Sequence, residues 1–306
     1  MKTATKAATS QPGELSPAAR QAVEARQITG AWNARALVKL LTELESWDKT
    51  VEQRKAKTNR IWIGSIIATV IGFFGMFVVG SITDSLLLAP IPFVIPLVGI
   101  FYFKRKLTLL SRADIPNEIR VAIRPMLKQL NQDLHPDEKI RVNLNLAGLD
   151  PSQPKSKQKM PPGRHRSLEV SVYETELCEM RLPLADGSTA VLRLDNTFNR
   201  METSRKTTRG KIKYKTKWKK QTTATAMLIP AARIHWEPAR MEKFIERANE
   251  KLSFSEKNGV MVARLDRYYK FKSAGEPPED SLPHTDLVGL FVRLSGMRPS
   301  QTGGAR

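Results

Sequence analysis

Cysteine is almost absent from this chain: its 306 residues hold one, Cys178. That excludes an intramolecular disulfide and suits a reducing compartment. Histidine is scarce as well. His135, His165, His235 and His284 stand far apart, none with another three or four places on, so no zinc-binding spacing of Cys and His exists. Gly210 precedes Lys211, but Arg205 occupies the place where a phosphate-binding loop needs its first glycine. No G-x-S-x-G element occurs.

Acid is the other shortage. Against 50 Lys and Arg stand 30 Asp and Glu, a formal charge of +20. Residues 1–60 hold 11 basic and 6 acidic residues and residues 104–306 hold 39 and 23, so the excess lies mainly in the C-terminal part. Such an imbalance favours polyanionic partners, nucleic acid or an anionic membrane face, and says little about fold. The acids that exist do not converge. Glu176 and Glu179 have opposite parity on an expected strand and are read as pointing to different faces; Asp266 and Arg267 are read as surface charge. Cys178 alternates with Met180 and Leu182, which marks a core position and not a nucleophile. No catalytic residue, cofactor or metal site is therefore expected. An enzyme would need a site assembled from dispersed residues.

What the chain does contain is a long uncharged run. Ile61 to Gly80 has no charged residue, and about 20 helical residues span the ~30 Å hydrocarbon core of a bilayer. A second uncharged run, Leu86 to Phe103, follows a short polar connection, with Pro90, Pro92 and Pro96 in its first half. Together they are expected to form a transmembrane hairpin over 61–103, the prolines delaying or kinking its second helix. Lys49, Arg54, Lys55, Lys57 and Arg60 precede it and Lys104, Arg105 and Lys106 follow it, whereas the connecting loop carries only Asp84. This asymmetry places both termini in the cytoplasm. Gly64, Ala68 and Gly72 form a small-residue face, expected to pack on the second helix or to support homo-oligomers.

The rest reads as α+β. Residues 1–30 lack an apolar core and are expected to form a flexible tail. Over 31–60, Leu37, Leu40, Leu41, Leu44, Trp47 and Val51 follow helical spacing, an amphipathic juxtamembrane helix that could also hold a protein partner. The domain 107–297 should begin with a helix along Ile115, Ile119, Ile123, Met126, Leu127, Leu130 and Leu134, capped by Asp114. Ile140 to Leu146 then alternates as a strand. Residues 149–166 read as a linker and 298–306 as a disordered tail. Between them an antiparallel sheet or small barrel is expected. One hairpin turns at Asp186-Gly187, and a second joins "FNRMETSRK" to "KIKYKTKWKK" across "TTRG". A helix is expected along Met241, Phe244, Ile245, Ala248 and Leu252, a strand along Met261 to Phe271, and a short helix at "DLVGLFVRL".

The basic strand is the sharpest feature. Lysine occupies every second position from Lys211 to Lys219, and Arg205, Lys206, Arg209 and Lys220 join it; no acid occurs from Thr203 to Trp236. Alternation puts Lys211, Lys213, Lys215, Lys217 and Lys219 on one face and Ile212, Tyr214 and Trp218 toward the core. The bland reading is protection of a sheet edge. The sharper one is a polyanion-binding ribbon for the anionic inner leaflet, with RNA stacked on Tyr214 and Trp218 as an alternative and a membrane scaffold or assembly subunit as another.

Overall fold

The computed structural model describes residues 15–83, 90–150, 152–160, 167–231, 250–257, 260–278 and 280–295. They fall into two units: 1–20 with 43–115, and 21–42 with 116–306. The first is helical and the second is built on an antiparallel sheet, so the chain is α+β with a long N-terminal helix.

Helix α1, Pro17–Ala25, starts where the Ser16 hydroxyl accepts the Ala19 N–H at 3.3 Å. Strand β1, Gln27–Trp32, follows at once. The tail expected over 1–30 therefore ends earlier, because Ala19, Ala22 and Ile28 are buried. Arg26 makes the turn between α1 and β1 with φ 56°, and its guanidinium donates to the Leu146 carbonyl at 3.0 Å and the Ala147 carbonyl at 3.1 Å. Those bonds offset the strain of a non-glycine residue in the left-handed region.

Helix α2, Ala34–Thr83, is 50 residues long and continuous from the amphipathic stretch into the apolar run. Its stripe is already used: Leu37, Leu40, Leu41, Leu44 and Val51 are buried within the chain. Among the described residues it is the one helix long and apolar enough to cross a membrane, and its most apolar window is almost wholly exposed. Helix α3, Ile91–Ala113, runs antiparallel to it, as the contacts pair low numbers with high: Lys55 with Asp114 at 2.9 Å, Ser65 with Gly99, Phe73 with Phe93 at 5.9 Å between ring centroids. Pro90 caps α3 and Pro92 lies in its first turn. Pro96 stands inside it, where the hydrogen bond it cannot donate would have gone to that first turn. Uncharged residues in α3 run only from Ile91 to Phe103 before Lys104. A two-helix transmembrane hairpin is thus not established; α2 takes up the connection as far as Thr83, and residues 84–89, which include the start of the second run, lie outside the described residues. Asp114 ends α3 and takes Lys55, instead of capping the next helix.

In the second unit the helix expected over 115–134 forms, with a π-helical turn, Ile119–Ile123, that runs without interruption into α4, Arg124–Leu130. Pro125, in the first turn of α4, cannot donate to the π turn before it. Strands β2 (Ile140–Asn145), β3 (Ser156–Met160), β4 (Ser167–Pro183), β5 (Thr189–Lys206), β6 (Ile212–Ile229), β7 (Glu250–Lys257) and β8 (Val260–Ala274) join β1 in one eight-stranded sheet. Its order is β1-β2-β4-β5-β6-β8-β7, with β3 added on β4. Both expected hairpins form, and "TTATAMLI" continues the basic strand as one long β6. Gly187 (φ 81°) and Gly210 (φ 79°) supply the left-handed residues of the two turns. Strand β3 lies inside the expected linker; all its side chains are exposed, so ladder bonds to β4 alone define it.

One row of the inner face crosses the sheet: Val142, Met180, Leu192, Ala226, Leu265 and Leu252 stand opposite one another in register on β2, β4, β5, β6, β8 and β7. Helix α5, His284–Ser295, buries Leu287, Leu290, Phe291 and Leu294 and packs against β6, β8 and α4. The helix expected along Met241 to Ala248 lies outside the described residues; Leu252, counted with it, sits in β7.

Candidate functional site

Sheet geometry sorts the basic residues onto two faces. Cross-strand partners in an antiparallel ladder share a face, so rows can be followed across the sheet. Lys215 stands opposite Thr203, then Leu168, then Met160. Lys217 stands opposite Met201, then Val170, then Gln158, and Lys219 opposite Asn199, then Val172, then Ser156. On the other side of β6, Lys219 faces Lys272. Arg205 opposite Lys213 extends the same outer face toward the turn. No acid stands on any of these rows. The first is one row further, where Glu174 binds Lys155 at 2.5 Å. Lys211, Lys213, Lys215, Lys217 and Lys219 are exposed, and none makes an ion pair among the described residues. Arg209 lies in the turn held by Thr207 N–H to the Lys211 carbonyl at 2.8 Å, and Lys206 falls on the inner side opposite Ile212.

The inner face of the same strand changes character along its length. Ile212 and Tyr214, expected toward the core, are exposed, Tyr214 by 81%. Parity puts them on the inner side, but nothing among the described residues covers them there. Trp218 is the first buried member; it lies against Tyr173 at 5.6 Å, carries the Arg200 guanidinium over its ring at 5.7 Å and donates Nε1–H to the Gly275 carbonyl at 3.2 Å. Bases cannot stack on it while it is so covered. Glu169 and Glu202 also stand on this inner side, Glu202 bound to Arg200. They help line a cleft of about 400 Å³ with Lys159, Ser167, Ser204 and Tyr214.

Lys220 does not belong to the exposed ribbon. It is 3% exposed and binds Glu118, itself 3% exposed, on the turn of helix before α4. Its Nζ also donates to the Asp280 carbonyl at 2.8 Å and lies 5.8 Å from the Phe198 ring and 5.6 Å from Phe271. Asn196 Nδ2–H reaches Glu118 at 3.2 Å, and its carbonyl accepts the Thr222 hydroxyl at 2.6 Å. The signal was in the parity: adjacent Lys219 and Lys220 must occupy opposite faces, and Lys220 shares parity with Trp218 and Thr222.

A second buried network joins Glu250, Arg267 and Arg293. Burial pushes the Tyr269 hydroxyl beside it up to about 12, against the opposing pull of Arg267. Asp266, expected on the surface, is buried and accepts the Thr225 hydroxyl at 2.5 Å. Sequence gave no hint of these long-range pairs.

Cys178 is fully buried, and desolvation drives its thiol pKa far up, with Glu176 and Glu179 adding to the shift. A β-bulge between Glu176 and Cys178 turns both Leu177 and Cys178 inward. It also overturns the expected separation of the two acids: Glu176 approaches Arg193 at 3.7 Å and Glu179 stands opposite Arg193 in register. Hydrogen bonding by Asp195 is the main cause holding the Arg193 guanidinium pKa above its ordinary value, with Glu176 and Glu179 contributing.

The small-residue face divides. Gly64 meets open space and Ala68 is exposed, while Gly72 is buried; α3 approaches α2 at Ser65 instead. Asp48, Glu52 and Asp114 bring carboxylate oxygens within 4.8 Å of one another, but Asp48 accepts the Ile115 N–H at 3.1 Å and Asp114 binds Lys55. Those bonds tie α2, over Asp48 to Lys55, to the C-terminal end of α3. In comparisons with known proteins, no family model, no curated protein and no solved structure matches this chain.

Proposed function

We propose that this is a non-enzymatic integral membrane protein whose basic sheet tip binds a polyanion, the anionic inner leaflet of its own membrane. The carrying observation is a run of outer-face rows without an acid, on which Lys213, Lys215, Lys217 and Lys219 stand beside Lys272 and form no ion pair among the described residues. An array of like charges repels itself unless something negative lies against it. Edge protection explains part of it, because β8 ends opposite Lys217 and leaves the start of β6 with one neighbour. It does not explain Lys219 and Lys272, which lie where β6 is paired on both sides.

In this reading α2 and α3 form a two-span hairpin with both termini cytoplasmic. The exposed apolar side chains on both helices, such as Ile71 and Phe74 on α2 and Ile95 and Phe101 on α3, support it, since water-facing helices rarely carry so many. Flanking Lys and Arg support the orientation. Anchoring holds the tip near the leaflet at high effective concentration, and each lysine close to such a surface contributes about 1 kcal/mol.

The test uses the full chain in lipid nanodiscs. Hydrogen exchange of residues 211–219 should slow when phosphatidylserine replaces part of a phosphatidylcholine bilayer, and high salt should reverse the effect. Changing Lys211, Lys213, Lys215 and Lys217 to Gln should abolish the slowing. Changing the exposed Lys39, Lys128, Lys139 and Lys251 to Gln removes the same charge elsewhere and should leave it. Exchange indifferent to phosphatidylserine refutes the leaflet reading.

A further inference from the structure

The outer face that carries the lysines is not uniformly polar. Four strands, β3 to β6, meet there, and the rows that begin at Lys215, Lys217 and Lys219 continue inward through Met201, Leu168, Val170, Val172 and Met160. Met160 is 43% exposed, and the other four are half-buried on the face away from the helical layer. Strand and ladder spacings make this area roughly 14 Å along β6 and about 14 Å across, with Thr203, Asn199, Gln158 and Ser156 interspersed among the apolar side chains. Lysines line one side, with Lys272 at a corner. A ribbon for RNA or another hydrophilic polyanion has no use for an apolar field beside its cations. Apolar side chains flanked on one side by cations match the boundary between headgroups and acyl chains.

Resting on the membrane-binding reading above, we infer that this outer face lies flat on the anionic leaflet, with Val170, Val172, Leu168, Met201 and Met160 entering the acyl boundary and the β6 lysines spread over headgroup phosphates. The bulge at Glu176/Cys178 is what makes this face. It reverses the parity of β4 beyond it, sending Tyr173 inward to Trp218 and Val170 and Val172 outward. The inner side is unsuited to the same role, since Glu169 and Glu202 stand on it.

Native Cys178 is fully buried, so an introduced cysteine can be labelled selectively. A fluorophore is placed on Val170→Cys on the outer face, or on Tyr214→Cys on the inner one, in the full chain in nanodiscs containing phosphatidylserine. Acyl-chain-brominated lipid should quench the Val170 label at least about twofold more than the Tyr214 label. Adding the four Lys→Gln changes should remove the difference. Unlabelled Leu168→Asn with Met201→Asn, both outside the core, should weaken the phosphatidylserine-dependent protection of 211–219 by about half or more. Equal quenching of the two labels, with lysine-dependent protection retained, overturns the flat apolar contact and leaves the electrostatic reading standing. Loss of the protection itself overturns both. Movement of the labels with polyuridylate but not with anionic discs overturns the proposal in favour of RNA.

Discussion

Lys220→Met tests whether the buried ion pair is a structural element separate from the exposed ribbon. The change keeps most of the side-chain volume but removes the cation that faces Glu118, leaving that carboxylate 3% exposed with the Asn196 amide at 3.2 Å. It also strips the Asp280 carbonyl of its donor and the Phe198 and Phe271 rings of their cation. Removing one partner of a buried pair typically costs about 3–5 kcal/mol, because the other charge stays desolvated. For a unit near 200 residues each kcal/mol moves the melting temperature by about 2–4 °C, so a fall of roughly 6–20 °C is expected. Removing both charges with Lys220→Met and Glu118→Leu should recover most of the loss, since apolar replacement of a buried pair is often neutral or stabilising. The assay is thermal unfolding of the detergent-solubilised chain followed by near-ultraviolet circular dichroism. A single-mutant cost under about 1 kcal/mol, or a double mutant as unstable as the single, refutes the desolvated pair. Lys220→Met should also leave the lipid-dependent protection of 211–219 in place below its melting point.

Other consequences follow from particular contacts. Gly99→Val should destabilise the α2–α3 pair because an added Cβ already meets Ser65 Oγ at 3.3 Å, whereas Ala68→Ile, on an exposed site, should not; melting of unit-specific helicity in detergent separates the two. A fragment starting at residue 107 should be less stable than the full chain, since it lacks β1 with buried Ile28 and the Leu37, Leu40 and Leu41 face; equal urea midpoints for both would refute this. Tyr269 keeps its proton up to about 12 in the folded chain and to about 10 when unfolded. Unfolding therefore releases a proton between those values, and stability falls as pH rises from about 10 to 12. Tyr269→Phe should make that fall shallower in denaturation midpoints measured across the window. Cys178 should stay unreactive to maleimide until the sheet is unfolded, and rapid labelling of the native chain would contradict its burial.

Much of the sheet was legible because its signals are local. Alternation over Leu168–Leu182 and Lys211–Lys219, with Asp186-Gly187 and Gly210 at the turns, is enough to draw two hairpins. The final helix was equally plain from its apolar spacing. What failed depends on partners distant in sequence. Strand β1 has few apolar residues and exists because Ile140–Asn145 offers it an edge. Strand β3 has no buried side chain, so no pattern marks it. The bulge inserts a single residue and reverses parity downstream, which misplaced Glu176 and Glu179 relative to each other. Within the ribbon, alternation sorted Lys213, Lys215, Lys217 and Lys219 onto one face, while Lys211 lies in the turn before the strand; it could not say that the core stops at Trp218, since that depends on what covers the strand.

Strand β6 is a beam supported unevenly. From Lys217 to Leu228 it is laced to β5 on one side and β8 on the other, while Ile212–Lys215 holds to β5 alone. Bending stiffness therefore drops at Trp218, whose ring is wedged among Tyr173, Arg200 and the Gly275 carbonyl and so acts as the clamp. Force applied at the Gly210 turn flexes the outer few residues of the hairpin and stops at that clamp. The end that carries the cations can follow the curvature of whatever it rests on, and the ion pair two residues beyond the clamp is mechanically shielded from it.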